Sequence, residues 1–541
     1  MTMRPGATPA PRSRPRAVRR PAPHTAAPAA FAALTTLALL GAAPAALAQA
    51  SSATSASAVA APTGTPGKPL RPCRVEGVPT EVLCGSLPRA LDPARPDGVK
   101  IDIQYVVVPA MARNKFPDPV LLLAGGPGQS ATALTASVLP RLSRLNYRRD
   151  LVFIDQRGTG RSAPLSCPDN ASRSLDDLLQ PGAKVKLLEQ CRDSLKQLPY
   201  GDLRFFTTTI AMQDMDAVRA ALGVERWNLI GASYGTRAAL EYERQFPDRV
   251  RRSVIDGVAP PDMVLPVSFS QDGQRALDMT FSACAASPDC NARYPALKSE
   301  WQGLLKSMPR KVSFTHPLTG RPEEATLTRE GLLNLVRPTL YAPHLVAALP
   351  AALHEASLGR FDALAGLAGQ MGGGSRAMRI FEGMHFSVIC AEDGPRIAGA
   401  TDAPAADFGT VDRDLYARVC SGWPRGDVPA AFYDIPKAKT PVLVTSGGID
   451  PATPQRHGQR VTEALGPQAR HVVVNAAGHG VAMTLPCMRD VIYRFIDAPK
   501  DADALAVDTS CAKDVPRPPA FLPPTPATIA AAASAARESQ R

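Results

Sequence analysis

Short apolar runs that stop at glycine-containing turns recur along the chain. Residues 100–109 (K-I-D-I-Q-Y-V-V-V-P) alternate and are β-branched, as in an early strand. Residues 119–124 (P-V-L-L-L-A) run into Gly125-Gly126-Pro127-Gly128, and residues 150–154 (D-L-V-F-I) run into Asp155-Gln156-Arg157-Gly158. Residues 227–230 end at a further glycine turn, 252–255 end at Asp256-Gly257, and 441–445 and 471–475 come much later. Continuously apolar strands are buried on both faces, which predicts a mainly parallel sheet covered by helices. Helical spacing appears at 210–222, with Met212, Met215, Val218 and Leu222 on one face, and again at 238–246. The strand series pauses from 258 to 439, where helical patterns take over at 274–285, 295–308, 328–335, 345–358 and 360–371. The expected fold class is α/β, with a large helical cap inserted between two late strands.

Composition trims both ends. Residues 1–48 carry Arg4, Arg12, Arg14, Arg16, Arg19 and Arg20 with no acid, then an Ala/Leu run and Ala46-Leu47-Ala48. That is the order of a secretory signal peptide, and the run is too short for a membrane span. Residues 49–69 and 516–541 are rich in Pro, Ala and small polar residues, which predicts a disordered linker and a disordered tail. The α/β core is then expected at 70–257 and 440–515, with the cap at 258–439. The net charge of +12 falls to +6 once the leader's six arginines are removed, and no basic run is left. This argues for an ordinary enzyme surface with no nucleic-acid partner. No membrane insertion is expected after the leader is cleaved.

Ten cysteines in an exported chain invite pairing. They fall as five neighbouring couples: Cys73 with Cys84, Cys167 with Cys191, Cys284 with Cys290, Cys390 with Cys420, and Cys487 with Cys511. None has C-x-x-C spacing and no histidine cluster accompanies one, so disulfides are expected rather than a metal site. No cofactor is implied, and the location expected is secreted or periplasmic.

Gly231-Ala232-Ser233-Tyr234-Gly235 fits G-x-S-x-G, with the apolar W-N-L-I before it and a helix after it. A serine nucleophile needs a base, and the base needs an acid to hold it. Of the eight histidines, His24 lies in the leader and His316, His344, His354 and His385 in the cap. His471 begins a strand, and His457 is expected on the outer face of a helix. His479, in a loop just past the last strand, is the expected base. Asp450 is the acid of the loop after the preceding strand (S-G-G-I-D-P-A-T-P); the competitor is Asp256, which is expected to brace a turn. The order Ser233, Asp450, His479 is that of α/β-hydrolases. Oxyanion donors are expected at the N–H of Tyr234 and in the Gly125–Gly128 loop, at Gly126 with Gly125 the alternative. Asp155 and Arg157 are expected to brace that loop.

The set G-G-P-G-Q-S, D-Q-R-G-T-G-R-S, G-A-S-Y-G-T-R, S-G-G-I-D-P-A-T-P and G-H-G resembles the proline iminopeptidase and tripeptidyl aminopeptidase group of α/β-hydrolases. The secreted tripeptidyl-aminopeptidase branch is the nearer resemblance, through C-A-A-S-P-D-C, I-C-A-E-D and a cysteine after the histidine. The resemblance covers about residues 70–513. It implies a peptide substrate cleaved from its free N-terminus through an acyl-enzyme on Ser233. Ala124 stands where proline iminopeptidases carry histidine, which argues against a strict proline-releasing specificity. In such exopeptidases, cap acids hold the substrate's α-ammonium, and Glu392, Asp393 and Glu382 are the candidates by position. A carboxylesterase or lipase-like hydrolase would use the same triad on esters, so the triad does not separate the two.

Overall fold

The computed structural model describes residues 70–168, 182–317, 319–372 and 379–524. The expected leader (1–48) and linker (49–69) lie outside the described residues.

Among the described residues eleven strands are formed: β1 (Arg71–Cys73), β2 (Val82–Ala90), β3 (Lys100–Val108), β4 (Val120–Leu123), β5 (Leu151–Ile154), β6 (Trp227–Ala232), β7 (Val250–Asp256), β8 (Arg310–Thr315), β9 (Pro322–Leu327), β10 (Val442–Gly447) and β11 (Ala469–Val474). Nine of them make one sheet in the order β1-β2-β3-β5-β4-β6-β7-β10-β11. β1, β2 and β3 join antiparallel at one edge, and every pairing from β5·β4 to β10·β11 is parallel. Each apolar run read as a strand is present, and β4, β5 and β10 are buried at every position. β1 and β2 were not expected.

The longer helices before the insertion are α1 (Ala183–Leu195), α2 (Thr208–Ala221) and α3 (Tyr234–Gln245). Within it come α4 (Leu265–Ala286), α5 (Leu297–Lys306), α6 (Arg329–Val336), α7 (Pro343–Ser357), α8 (Asp362–Gly372), α9 (Glu382–Glu392) and α10 (Val411–Gly422). α11 (Gln455–Leu465) and α12 (Pro486–Asp497) follow β10 and β11.

The insertion between β7 and β10 is mainly helical, as expected, and two of its details were not foreseen. It is not purely helical: β8 and β9 form an antiparallel hairpin whose Val312, Phe314, Ala325 and Leu327 face a separate apolar cluster with Trp301, Leu332 and Leu349. Its second half also does not pack as cap. Met384, Phe386, Val388 and Cys390 of α9, with Val419, Cys420 and Trp423, join the same apolar cluster as Met212 and Tyr234 beneath the main sheet. α9 is buried at Gly383, Met384 and every position from Phe386 to Glu392, which leaves only Glu382 and His385 of its first turn partly exposed.

All ten cysteines pair, in the five neighbouring couples expected. Cys73 bonds to Cys84, which clasps β1 to β2, and Cys167 bonds to Cys191 of α1. Cys284 at the end of α4 bonds to Cys290, and Cys487 of α12 bonds to Cys511. Cys390 bonds to Cys420, which ties α9 to α10. Residues 516–524, expected as disordered tail, instead lie on the cap. There the Phe521 N–H donates to the Ala347 carbonyl at 2.8 Å, Arg293 donates to the Pro523 carbonyl at 3.1 Å, and Ala520 packs on the cap's apolar cluster. Residues 525–541 lie outside the described residues. No helix among the described residues is long and apolar enough to cross a membrane.

Candidate active site

β6 ends at Ala232 and α3 begins at Tyr234, which leaves Ser233 alone in the turn with φ 56° and ψ −124°. A side chain at positive φ costs of order 1–3 kcal/mol and persists only where its surroundings impose it. Here the flanking glycines do so. A methyl at Gly235 would strike the Leu123 carbonyl oxygen at the end of β4, and one at Gly231 would strike the carbonyl of Gly235. The Ser233 N–H donates to the Asp256 carbonyl at 2.9 Å, which ties the elbow to the end of β7.

The loops after β10 and β11 meet at the same edge. His479 Nδ1 lies 2.8 Å from Asp450 Oδ2 and 3.1 Å from Thr453 Oγ1. The Asp450 carboxylate also accepts the N–H groups of Ala452 (2.8 Å) and Thr453 (2.9 Å) and the Thr453 hydroxyl (2.9 Å). Burial opposes ionisation of Asp450, but its pairing with His479 and these N–H donors outweigh burial and hold its pKa below the usual value. Burial likewise disfavours the imidazolium of His479, and the Asp450 charge and hydrogen bond more than offset it, so the histidine's pKa is raised. A side chain at Gly257, next to the Asp256 that holds Ser233, would come within 3.5 Å of both His479 and Asp450. The three expected triad residues therefore converge on one sheet edge.

Asp256 is not the partner of His479. Its carboxylate accepts the Ala482 N–H and the Thr445 hydroxyl, both at 2.8 Å, and burial pushes its pKa up to about 6. It ties β10 to the short helix after the His479 loop.

The Gly125–Gly128 loop lies against the elbow: a side chain at Gly125 would be 3.4 Å from Ser233 Cβ. Gly126 and Gly128 have φ 109° and 107°, and the Gln129 N–H closes on the Gly125 carbonyl at 3.3 Å. Asp155 braces this loop from the core, accepting the Ser130 hydroxyl (2.7 Å), the Thr132 N–H (3.0 Å) and the Thr132 hydroxyl (2.7 Å). Arg157, expected to share that task, points elsewhere. It pairs with Asp214 of α2 (2.7 and 3.0 Å) and donates to the carbonyls of Leu91 and Phe205.

Of the expected amine ligands, the structure takes two away from any ligand. Glu392 and Asp393 are both fully buried. Arg237 of α3 donates to Asp393 at 2.8 and 3.2 Å and to Glu392 at 3.4 Å, and the Thr208 N–H takes the other Glu392 oxygen at 2.8 Å. Burial, only partly offset by Arg237, pushes the Glu392 pKa up to about 7. A cation in the first turn of the elbow helix consumes both acids, and nothing in the local sequence announces that. Glu382 is different. It is partly exposed and opens α9, two residues after Ile380, which bridges Gln129 of the glycine loop.

His457 is also corrected. It is 3% exposed, with Nε2 3.0 Å from Asp272 of α4, because the insertion folds back over α11. Two other insertion residues reach the site unforeseen. The Tyr341 carbonyl accepts the His479 N–H at 3.0 Å, and its ring meets the imidazole edge-on at 5.1 Å. His385 of α9 reaches the Pro127 carbonyl at 3.0 Å. Thr453 was the findable one, as the hydroxyl three residues after the acid in the same loop.

A family model described as alpha/beta hydrolase fold matches residues 118–485, a stretch that holds Ser233, Asp450 and His479. The chain is 27% identical over 429 residues to Serine protease Hip1 of Mycobacterium tuberculosis (strain ATCC 25618 / H37Rv), covering 72% of this chain and 80% of that protein. It is 30% identical over 196 residues to Tripeptidyl aminopeptidase of Streptomyces coelicolor, covering 34% of this chain and 36% of that one. Among solved structures, Proline iminopeptidase of Mycobacterium smegmatis aligns with a TM-score of 0.34 and 17% identity, over 78% of this chain and 100% of that one.

Proposed function

The chain belongs to the alpha/beta-hydrolase fold family, and we propose that within it the protein is an exported serine exopeptidase that cleaves peptides from their free N-terminus. The observation that carries the reading is the Asp450–His479 pair, hydrogen-bonded at 2.8 Å at the same sheet edge as the strained Ser233 turn.

In this reading Ser233 Oγ attacks the scissile carbonyl while His479 takes its proton. The Asp450 carboxylate keeps Nδ1 protonated and steadies the imidazolium. The negative oxygen of the tetrahedral intermediate is received by the N–H groups of Tyr234 and Gly126. His479 then gives its proton to the leaving amine, and water, deprotonated by the same histidine, releases the acyl group from Ser233. Glu382, beside the glycine loop, receives the substrate's α-ammonium; Glu392 and Asp393 instead hold Arg237. The named peptidase relatives support peptide chemistry, and the five disulfides suit an oxidising compartment outside the cytoplasm.

The test compares aminoacyl- and tripeptidyl-arylamides, free and N-blocked, with short-chain aryl esters, using Ser233→Ala as control. Cleavage of free but not blocked arylamides, lost in Ser233→Ala and relaxed in Glu382→Gln, is expected. Ester turnover without arylamide cleavage would make the protein a carboxylesterase instead.

A further inference from the structure

We infer that His385 is a positioning residue that holds the oxyanion loop in its working shape. The inference rests on the proposed role of the Gly125–Gly128 loop as an oxyanion donor.

The loop is weakly determined by its own chain. Two of its residues are glycines at positive φ, and the bond from the Gln129 N–H to the Gly125 carbonyl is long at 3.3 Å. That bond matters, because in a trans peptide the Gly126 N–H points opposite to the Gly125 carbonyl. Whatever fixes the rest of the loop fixes the aim of that donor. Two bonds from the α9 region do so: the Phe381 N–H donates to the Gly128 carbonyl at 2.9 Å, and His385 Nδ1 lies 3.0 Å from the Pro127 carbonyl.

A carbonyl only accepts, so Nδ1 must carry the proton. The other ring nitrogen, Nε2, lies 2.8 Å from the Tyr416 hydroxyl, which donates to it and fixes this tautomer. Burial lowers the His385 pKa to about 4, which keeps the ring neutral near neutral pH. The anchor is itself rigid. The ring meets Phe386 edge-on at 5.1 Å, Tyr416 lies on α10, and the Cys390–Cys420 bond joins α10 to α9. At its far end α9 is held by the Arg237 ion cluster.

A donor turned away from the developing oxyanion weakens transition-state binding without changing ground-state binding, so kcat falls and KM does not. Deleting an oxyanion donor costs ~100–1,000-fold in kcat, and a misaimed one costs less, ~10–100-fold. The test measures kcat and KM on a tripeptidyl p-nitroanilide and a short-chain p-nitrophenyl ester, each corrected by active-site titration. It adds the Ki of a peptidyl trifluoromethyl ketone, whose carbonyl carbon bonds to Ser233 Oγ and whose oxygen becomes the oxyanion.

His385→Asn keeps an N–H near the Nδ1 position, whereas His385→Gln places its amide near Nε2. The expected result is a kcat loss in His385→Gln, a Ki raised by the same factor, KM within about two-fold, and substantial recovery in His385→Asn. Unchanged kcat in His385→Gln, a kcat loss with unchanged Ki, or recovery by Gln and not Asn would each overturn the inference. Absence of Ser233-dependent turnover in the wild-type protein would instead overturn the reading of the site.

Discussion

Arg237 is buried with two carboxylates, and removing each carboxylate should have a different cost. Asp393 makes two short bonds to the guanidinium (2.8 and 3.2 Å), while Glu392 makes one long one (3.4 Å). Two unit charges about 3 Å apart at an effective dielectric of about 20 attract by about 5–6 kcal/mol. Much of that is offset by desolvation, and breaking one partner of such a pair typically costs about 3–5 kcal/mol. Asp393→Asn should fall at or below the low end, about 2–3 kcal/mol, because Glu392 stands ready to ionise in its place. Its pKa, raised to about 7, lets it do so at small cost near neutral pH. Glu392→Gln should cost only about 1 kcal/mol, since glutamine still offers an oxygen to the Thr208 N–H. The double variant strands Arg237 without a counter-charge and should exceed the sum of the singles by about 1–2 kcal/mol. Urea unfolding followed by circular dichroism at pH 7.5 measures all three, and arylamide kinetics run beside it should show the preference for free N-termini intact in Glu392→Gln. A larger cost for Glu392→Gln than for Asp393→Asn, additivity within about 0.5 kcal/mol, or loss of that preference in Glu392→Gln would refute the reasoning.

Asp450→Asn should lower kcat by roughly 10³–10⁴-fold. In the residual activity, the acidic limb of the pH–rate profile should move to lower pH, since the charge that raises the His479 pKa is gone and the base stays neutral further down; a limb that stays or moves up would contradict this. Gly235→Ala drives a methyl into the Leu123 carbonyl and should cost about 1–3 kcal/mol while misplacing Ser233; an unchanged Tm with full turnover would contradict the packing. Glu243 is buried with Oε1 unpartnered, and burial raises its pKa to about 7. The native state therefore binds a proton that the unfolded chain has released between about pH 4.5 and 7, so this group lowers stability as pH rises through that window. Glu243→Gln should be neutral at pH 4.5 and stabilise by on the order of 2 kcal/mol at pH 8, read by thermal melts across that range.

The strands that build the sheet were legible because each is a continuous apolar run stopped by a turn, and that pattern depends on neighbours in sequence alone. The loops that carry Asp450 and His479 were legible for a related reason: parallel strands bring the loops at their C-terminal ends to one edge, so chain order already implies proximity. The cysteine couples were legible because each closes a short loop, from 6 residues for Cys284 and Cys290 to 30 for Cys390 and Cys420. β8 and β9 were missed although Val312 and Phe314 alternate with polar residues, because two six-residue strands are easily absorbed into a run of helical patterns.

The sequence by itself determined the fold class, the elbow at Ser233, the order of Asp450 and His479 after it, and which cysteines neighbour which. Tertiary structure alone decided what the insertion's polar residues do. Glu392 and Asp393 read as available acids until the buried Arg237 claims them, and His457 reads as a surface residue until Asp272 covers it. His385 reads as one more cap histidine until α9 packs beneath the sheet and brings it to Pro127. A buried polar group must find a partner, but the partner is chosen by packing between segments 100 or more residues apart, and no local pattern encodes that choice.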